Sequence, residues 1–378
     1  MRILQVTNLV SHHQLPLARQ LASIVGEGNF RFAAISMPDQ ERARLGWNDA
    51  EKDPWILRAA QCPLDHADFV RWWNQADVVL CGERLLQPMS ERLDRGQLCF
   101  YMSERWWKPP IGAARMLSPQ FALMARQFRR LSRHPLFHYL PKGPFASSDI
   151  DLIAKLEKRK WLWGYFTEKK IFTNYDKPPA SPVKVLWAGR MLSWKRVDVL
   201  IRAAAHASQC GVDLQLTLVG DGPMRVELER LAGNMLPPDS YTFHNPISSE
   251  QVPRVMRDHH VYILPSTGYE GWGAVINEAM SYDCAVIASS SAGSAASMIV
   301  HDFNGLLFDC GDWRGLSLLL QQLASDDAKR LRLTAAARDT IENLWSPRSA
   351  AERFVSVADA LLRGAPPPIY ENGPMSFA

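Results

Sequence analysis

Paired cysteines are missing from this sequence. Its six cysteines, at positions 62, 81, 99, 210, 284 and 310, form no C-x-x-C pair and no zinc-finger spacing. That argues against a disulfide scaffold and for buried or free thiols in a reducing cytosol. Long apolar runs are missing too, since nothing approaches the ~20 consecutive apolar residues of a membrane-spanning helix. Residues 1–8 read as a strand, too short and too polar for a secretory signal. The expectation is a cytosolic protein, at most peripheral at the inner face of a membrane. No repeat recurs at solenoid periods. No charge of one sign dominates: a net +4 and a pI near 8.7 allow an anionic ligand or membrane surface without requiring either. No nucleic-acid partner is implied. A G-x-G-x-x-G fingerprint is absent, because in the run Gly220-Asp221-Gly222-Pro223 the third glycine position falls on Arg225. This argues against a dinucleotide oxidoreductase. No Asp-x-Asp lies at a strand end suited to catalysis, so neither metal nor cofactor is expected.

What is present is an alternation of apolar runs and helical patterns. A chain of 378 residues exceeds one ordinary core and fits two domains. Strand-like runs fall at 3–6, 32–36, 77–82 and 97–102 in the first half. In the second half they fall at 183–188, 214–219, 241–247, 261–264, 285–289 and 303–308. Helical patterns fall between them, among them 16–25, 313–323, 328–344 and 349–362. Such alternation predicts α/β domains with parallel sheets and helices on both faces. Pro178, Pro179 and Pro182 make residues 172–182 a stiff connector and the best boundary. The expected division is 1–175, 176–345, a last helix over 346–364, and a mobile proline-rich tail over 365–378.

The most informative stretch is Ser266-Thr267-Gly268-Tyr269-Glu270-Gly271-Trp272-Gly273-Ala274-Val275-Ile276-Asn277-Glu278. It follows a buried-strand pattern and opens a helix, so its amides gather where a helix dipole favours an anion. Glu270 and Glu278 flank those amides. Read as helical positions at ~1.5 Å rise, the spacing spans roughly 12 Å, the reach from a transferred sugar to a nucleoside ribose. Carboxylates bind hydroxyls and repel phosphates, which puts them on the two sugars with a diphosphate between.

A second strand–loop–helix unit carries Gly189-Arg190-Met191-Leu192-Ser193-Trp194-Lys195. Its two cations, five residues apart, suit a pyrophosphate. The exit loop Asn245-Pro246-Ile247 could face a base.

In the first half, His12 and His13 follow the first strand, at the carboxyl end where open α/β sheets bind ligands. His13 is read as an acceptor contact, or as part of a polar helix-capping loop. After the fourth strand comes Ser103-Glu104-Arg105-Trp106-Trp107-Lys108. It reads either as a carbohydrate site, with hydrogen-bonding charge beside aromatic faces, or as a salt bridge with packing tryptophans. In the first case Arg105 would keep Glu104 ionised. Residues 126–134 and 155–166 mix cations with aromatics, and read as a membrane contact or as solvated helix faces.

The order W-A-G-R-x4-K-R, L-V-G-D-G-P, E-G-W-G-x4-E and F-N-G-L-L-F over 183–308 resembles the nucleotide-sugar domain of retaining GT-B glycosyltransferases, family 4. The first half is similar to a bacterial surface-polysaccharide branch, through Asn8, His12-His13-Gln14-Leu15-Pro16, Glu41-Arg42, Leu45-Gly46-Trp47, Tyr101-Met102-Ser103-Glu104-Arg105 and Trp163-Gly164-Tyr165-Phe166. The resemblance implies two facing Rossmann-like domains with an interdomain cleft and a final helix crossing back to the first domain. It implies metal-independent, retaining transfer from a nucleotide-diphosphate sugar to a glycan or lipid-linked glycan acceptor. Arg190 and Lys195 would then bind the diphosphate, and Glu270 the donor sugar. Gly271, Trp272, Gly273 and Ala274 would supply amides, Glu278 would take the ribose, and residues 245–247 would lie beside the base. The chain departs from many relatives at Glu104, where they carry a His, and at Gly293-Ser294 and Ser297, where they carry Gly-Gly and Glu. A nucleotide-sugar epimerase and a non-catalytic sugar-nucleotide-binding assembly protein are the rival readings.

Overall fold

The apolar runs pair as parallel strands in two separate sheets. The structure, a computed structural model, describes residues 1–36, 53–58, 66–82, 85–108, 112–168 and 181–378. Most of the proline connector, the motif residues Glu41, Arg42, Leu45, Gly46 and Trp47, and Cys62 lie outside the described residues. Two compact units result: Met1–Glu168 with Leu344–Ala378, and Lys169–Asn343.

The first unit contains β1 (Ile3–Thr7), β2 (Phe30–Ala34), β3 (Ile56–Arg58), β4 (Val78–Cys81), β5 (Leu98–Ser103) and β6 (Phe137–Pro141). Its helices are α1 (Leu15–Val25), α2 (Ala67–Gln75), α3 (Leu86–Asp94), α4 (Pro119–Leu131) and α5 (Pro144–Asp151). The strand order is β3-β2-β1-β4-β5-β6, with every pair parallel: Ile3, for example, lies opposite both Phe30 and Val78.

The second unit repeats the plan. It contains β7 (Val183–Ala188), β8 (Leu214–Val219), β9 (Tyr241–His244), β10 (Val261–Leu264), β11 (Ala285–Ser289) and β12 (Leu306–Phe308). Between them run α6 (Val197–Gln209), α7 (Arg225–Met235), α8 (Val252–Arg257), α9 (Val275–Ser281) and α10 (Gly293–Met298), and after β12 come α11 (Trp313–Ser325) and α12 (Asp327–Asp339). The order β12-β11-β10-β7-β8-β9 is the same topology, and again every pair is parallel. Central strands are buried on both faces, as helical crossovers require; all of β1, β4, β5, β10 and β11 is buried.

Three expectations change. The second strand is Phe30–Ala34 rather than 32–36. Residues 328–344 are not one helix, since α12 ends at Asp339 and Thr340–Leu344 turn with π geometry. The proline-rich tail expected to be mobile is instead seated on the first unit. The Met375 amide donates to the Leu162 carbonyl (2.9 Å), the Leu162 amide to Ser376 (2.7 Å) and the Ala378 amide to Lys160 (3.1 Å). Phe377 stacks on Trp161 at 4.7 Å, and Met375 is fully buried. The pairing partner is some two hundred residues away in sequence, so no local pattern announces it.

The last helix, α13 (Pro347–Leu362), is part of the first unit. Its Phe354 packs on Phe100 (4.9 Å) and Trp163 (5.9 Å). Cys81, Cys99 and Cys284 are buried. Burial pushes the Cys99 thiol up to about 11, against a lowering effect of Arg92, so this thiol is held in its unreactive form.

Candidate active site

In each sheet the strand order reverses once, between β1 and β4 and between β7 and β10. Loops leaving the carboxyl ends of such a pair diverge, and ligands of open α/β sheets bind in the crevice they leave. In the second unit those loops are the two singled out by sequence. The loop after β7 turns at Ser193–Lys195, and Arg196 closes it in the left-handed region (φ 53°), its guanidinium on Asp198 at 3.0 and 3.1 Å. Glycine is required nearby for close approach: a Cβ on Gly220 would meet the Gly189 carbonyl oxygen at 1.9 Å, and one on Gly222 the Met191 oxygen at 2.6 Å. The G-D-G-P turn thus supports the G-R-M loop from below, with Met191 donating to the Asp221 carbonyl at 2.7 Å.

Across the reversal point Lys195 meets Glu270. Its ammonium is ion-paired to a Glu270 carboxylate oxygen that also accepts from the Ser266 hydroxyl at 3.0 Å. The Lys195 and Glu270 side chains are 16% and 11% exposed, dry enough for the charges to act strongly on each other and on a ligand. The Thr267 amide donates to the Trp194 carbonyl (2.9 Å), and the Trp194 and Tyr269 rings lie 5.6 Å apart, so the loops clasp on either side of the pair. The Lys195 ammonium also sits 4.6 Å from the centroid of Trp194.

The Glu270–Glu278 span is not continuous helix. Helix α9 starts at Val275, so Glu270 reaches the site from a turn and Glu278 from the helix itself. Both carboxylates nevertheless bear on one atom. Burial first, then the charges of Glu270 and Glu278, push the Tyr262 phenol well above its ordinary value, against the Ala188 carbonyl to which it donates at 3.2 Å. Between the two carboxylates the chain is tightly held. Gly273 adopts φ +89°, its carbonyl accepting from the Ser294 hydroxyl at 3.0 Å. Buried Trp272 donates to Asn277 at 3.0 Å, and the Ala274 carbonyl accepts from the Glu278 amide.

Gly293 and Ser294 brace this segment. A Cβ on Gly293 would lie 2.1 Å from the Gly271 carbonyl oxygen. Gly293→Ala is therefore expected to destabilise the protein by about 1–3 kcal/mol through overpacking. The loss is readable as a lower melting temperature. An unchanged variant would show that the segment yields freely.

The remaining second-unit candidates are less concentrated. Arg190 is exposed on the same loop as Lys195. Asn245 and Pro246 are exposed and Ile247 half-buried in the loop after β9, separated from β7 by β8.

In the first unit the outcome at the fourth expected strand, β5, is a correction. Arg105 does not pair with Glu104. Its guanidinium binds Asp149 at 3.0 Å, and the same carboxylate accepts the amides of Trp106 (2.9 Å) and Trp107 (3.0 Å). Both tryptophans are buried, packed on Phe121 and Phe128, and offer no sugar platform. Glu104 is held by other residues. Its two oxygens accept from Lys108 Nζ and from the Tyr165 hydroxyl, each at 3.1 Å. Burial alone would raise this carboxyl, but the Lys108 and Lys142 charges and those two hydrogen bonds outweigh it and hold the group below its ordinary value. His13 lies near, its ring 6.0 Å from that of Tyr165. Tyr165 stands in one of the resemblance motifs but without a role of its own, and Lys142 carries no signal at all. Lys142 follows β6, a strand absent from the sequence reading, whereas Lys108 stands four residues after Glu104.

Of the two basic stretches, 155–166 is largely absorbed into the fold. Lys160 pairs with Asp151 (2.8 Å), Arg159 donates to the carbonyls of His134 and Phe137, and Trp161 and Trp163 are core. In α4, Phe121, Ala125, Phe128 and Leu131 face inward, while Arg126, Arg129 and Arg130 stay exposed with Leu123.

The chain is similar to several known proteins. Residues 169–340 match the family described as glycosyl transferases group 1. The lipopolysaccharide core biosynthesis glycosyltransferase LpsD of Rhizobium meliloti (strain 1021) is 29% identical over 259 residues, 62% of this chain and 70% of that protein. A D-inositol 3-phosphate glycosyltransferase of Xylanimonas cellulosilytica is 31% identical, over 46% of this chain but only 42% of its own length. Among solved structures, Anabaena Alr3699/HepE in complex with UDP superposes with a TM-score of 0.71 at 15% identity, covering 95% of this chain and all of the other. The same protein bound to UDP-glucose gives 0.67. That likeness carries the fold: two Rossmann-like units of GT-B type. Residues 169–340 are thus similar to the group 1 glycosyl transferases, and the two units have the GT-B fold.

Proposed function

We propose that this protein is a retaining, family 4 glycosyltransferase. It would move a sugar from a nucleotide-diphosphate donor to a glycan or lipid-linked glycan in the assembly of a surface polysaccharide. The observation that carries the reading is the meeting of Lys195 and Glu270 across the strand-order reversal of the second sheet. An ammonium with three donors can keep Glu270 and take a diphosphate oxygen together. Glu270 then lies where the donor sugar must follow the diphosphate, and its hydroxyl-binding oxygens suit a sugar. Arg190 adds the second cation to the leaving group, residues 271–274 supply amides, Glu278 takes the ribose, and Asn245, Pro246 and Ile247 border the base.

Glu270, the carboxylate of that pair, is neutralised by Lys195 and poorly disposed to attack the anomeric carbon. Front-face transfer follows: the departing phosphate helps take the acceptor proton, and the protein positions the reactants and neutralises charge. In the first unit, Glu104 and His13 are the acceptor-side candidates. LpsD, named for lipopolysaccharide core biosynthesis, and HepE, solved with UDP-glucose, support the substrate classes. The exposed arginines of α4 make that helix, rather than residues 155–166, the candidate for contact with an anionic membrane surface.

Incubation with a panel of sugar nucleotides tests the reading. Release of nucleoside diphosphate, by transfer or slow donor hydrolysis, is expected. Isomerisation without release would favour the epimerase, and binding alone the scaffold. Because Arg190 and Lys195 can neutralise the leaving group, activity is expected to persist in EDTA. Loss on chelation, restored by Mn²⁺ or Mg²⁺, would overturn the leaving-group chemistry.

A further inference from the structure

Lys142 is a buried ammonium at the carboxyl end of β6, only 8% exposed. A lysine is seldom buried without a task, because desolvating its charge is costly. Its backbone amide donates to the Ser103 carbonyl at 2.9 Å, which fixes the end of β6 against the end of β5, one residue before Glu104. Its ammonium lies 4.0 Å from the centroid of the Tyr165 ring. Such a contact orients the ring and draws electron density from it, strengthening the phenol as a hydrogen-bond donor. The Tyr165 hydroxyl spends that bond on one oxygen of Glu104 at 3.1 Å, while Lys108 takes the other. The carboxylate is therefore gripped at both oxygens by groups from separate elements, with the Lys142 charge beside it. Among the described residues, the groups facing it are Lys108 from the loop after β5, Lys142 from the end of β6 and Tyr165 from the segment after Trp163, with His13 of the β1–α1 loop next to Tyr165.

We propose that Lys142 is a positioning residue of the first unit, fixing the Tyr165 ring and holding Glu104 as an oriented, charged carboxylate for the acceptor half of the reaction. This rests on the reading of the protein as a transferase in which Glu104 serves the acceptor. Lys142 does not touch the reacting atoms. It acts through its two neighbours, and a purely structural lysine would affect only stability.

The pH profile separates the two roles. Loss of the Lys142 charge removes an opposite charge from beside Glu104, so Glu104 should protonate at higher pH. In Lys142→Met, the acid limb of the transfer rate is expected to move to higher pH, so that the variant loses more activity than wild type between about pH 8 and about pH 5.5. Nucleotide affinity, a property of the second unit, should stay within about twofold. Lys142→Arg keeps the charge and should restore the acid limb. In ¹³C-carboxyl NMR the Glu104 resonance, identified by its disappearance in Glu104→Gln, should titrate at higher pH in Lys142→Met than in wild type. An acid limb and a Glu104 titration that both stay in place in Lys142→Met would overturn the proposal, whatever happens to the melting temperature. Should the wild-type protein transfer no sugar from any donor, the transferase reading fails. The NMR titration would still decide whether Lys142 controls Glu104.

Discussion

Lys195→Ala should lower turnover by tens- to hundreds-fold while the fold survives. The ammonium is the charge best placed to follow a leaving diphosphate, since it stands on the loop after β7 and already bonds to a group on the loop after β10. Removing one charge-assisted contact of this kind costs ~1.5–3 kcal/mol, which converts to that range of rates. The pairing adds a complication that the sequence did not expose. Lys195→Ala also leaves the Glu270 carboxylate with the Ser266 hydroxyl and without its cation, so part of any lost stability belongs to Glu270. Lys195→Ala combined with Glu270→Gln removes the uncompensated charge and should recover stability without recovering turnover. Near-normal turnover in the single variant would remove Lys195 from the mechanism. Recovery of turnover in the double variant would mean that the pair serves folding only.

The second large effect sets Glu278 against Glu270. If Glu278 holds the ribose, Glu278→Gln should weaken the bare nucleoside diphosphate and the intact donor alike, by about tenfold or more. Glu270→Gln should leave the nucleoside diphosphate within about threefold and cut transfer by tens-fold, because its partner is the sugar. The two substitutions are nearly isosteric and the carboxylates sit on different supports, a turn and a helix, so their effects should separate cleanly. Calorimetry with the nucleotide alone decides the matter: the reverse ordering would exchange the two roles, and equal effects would cancel both.

The second unit was the more legible in sequence. All six of its strands fall on runs read from the sequence, and its site residues sit on glycine-bearing loops whose motifs are local in the chain. What could not be read was the contact between those loops, because Lys195 and Glu270 are 75 positions apart and only the strand order brings them together. The bracing role of Gly293 was hidden for the same reason. In the first unit, β6 ends in Pro141 and has no alternation to mark it, so Lys142 had no address. A pairing of Arg105 with Glu104 is what sequence adjacency suggests, because adjacency is what a sequence displays. Successive side chains leaving a strand end point to different sides, and the folded chain gives Arg105 to Asp149, 44 positions away. Trp106 and Trp107, next in the chain, turn into the core, which is where large apolar rings gain most.

The central claim is that the loops after β7 and β10 together cleave the bond between a sugar and a nucleoside diphosphate with retention at the anomeric carbon. The most direct measurement is proton NMR of the reaction with the donor that the panel identifies, following the anomeric coupling of the first-formed product before mutarotation. The account predicts nucleoside diphosphate released in step with a product of the donor's own anomeric configuration. An inverted product, or a consumed donor with its nucleoside diphosphate still attached, would contradict it.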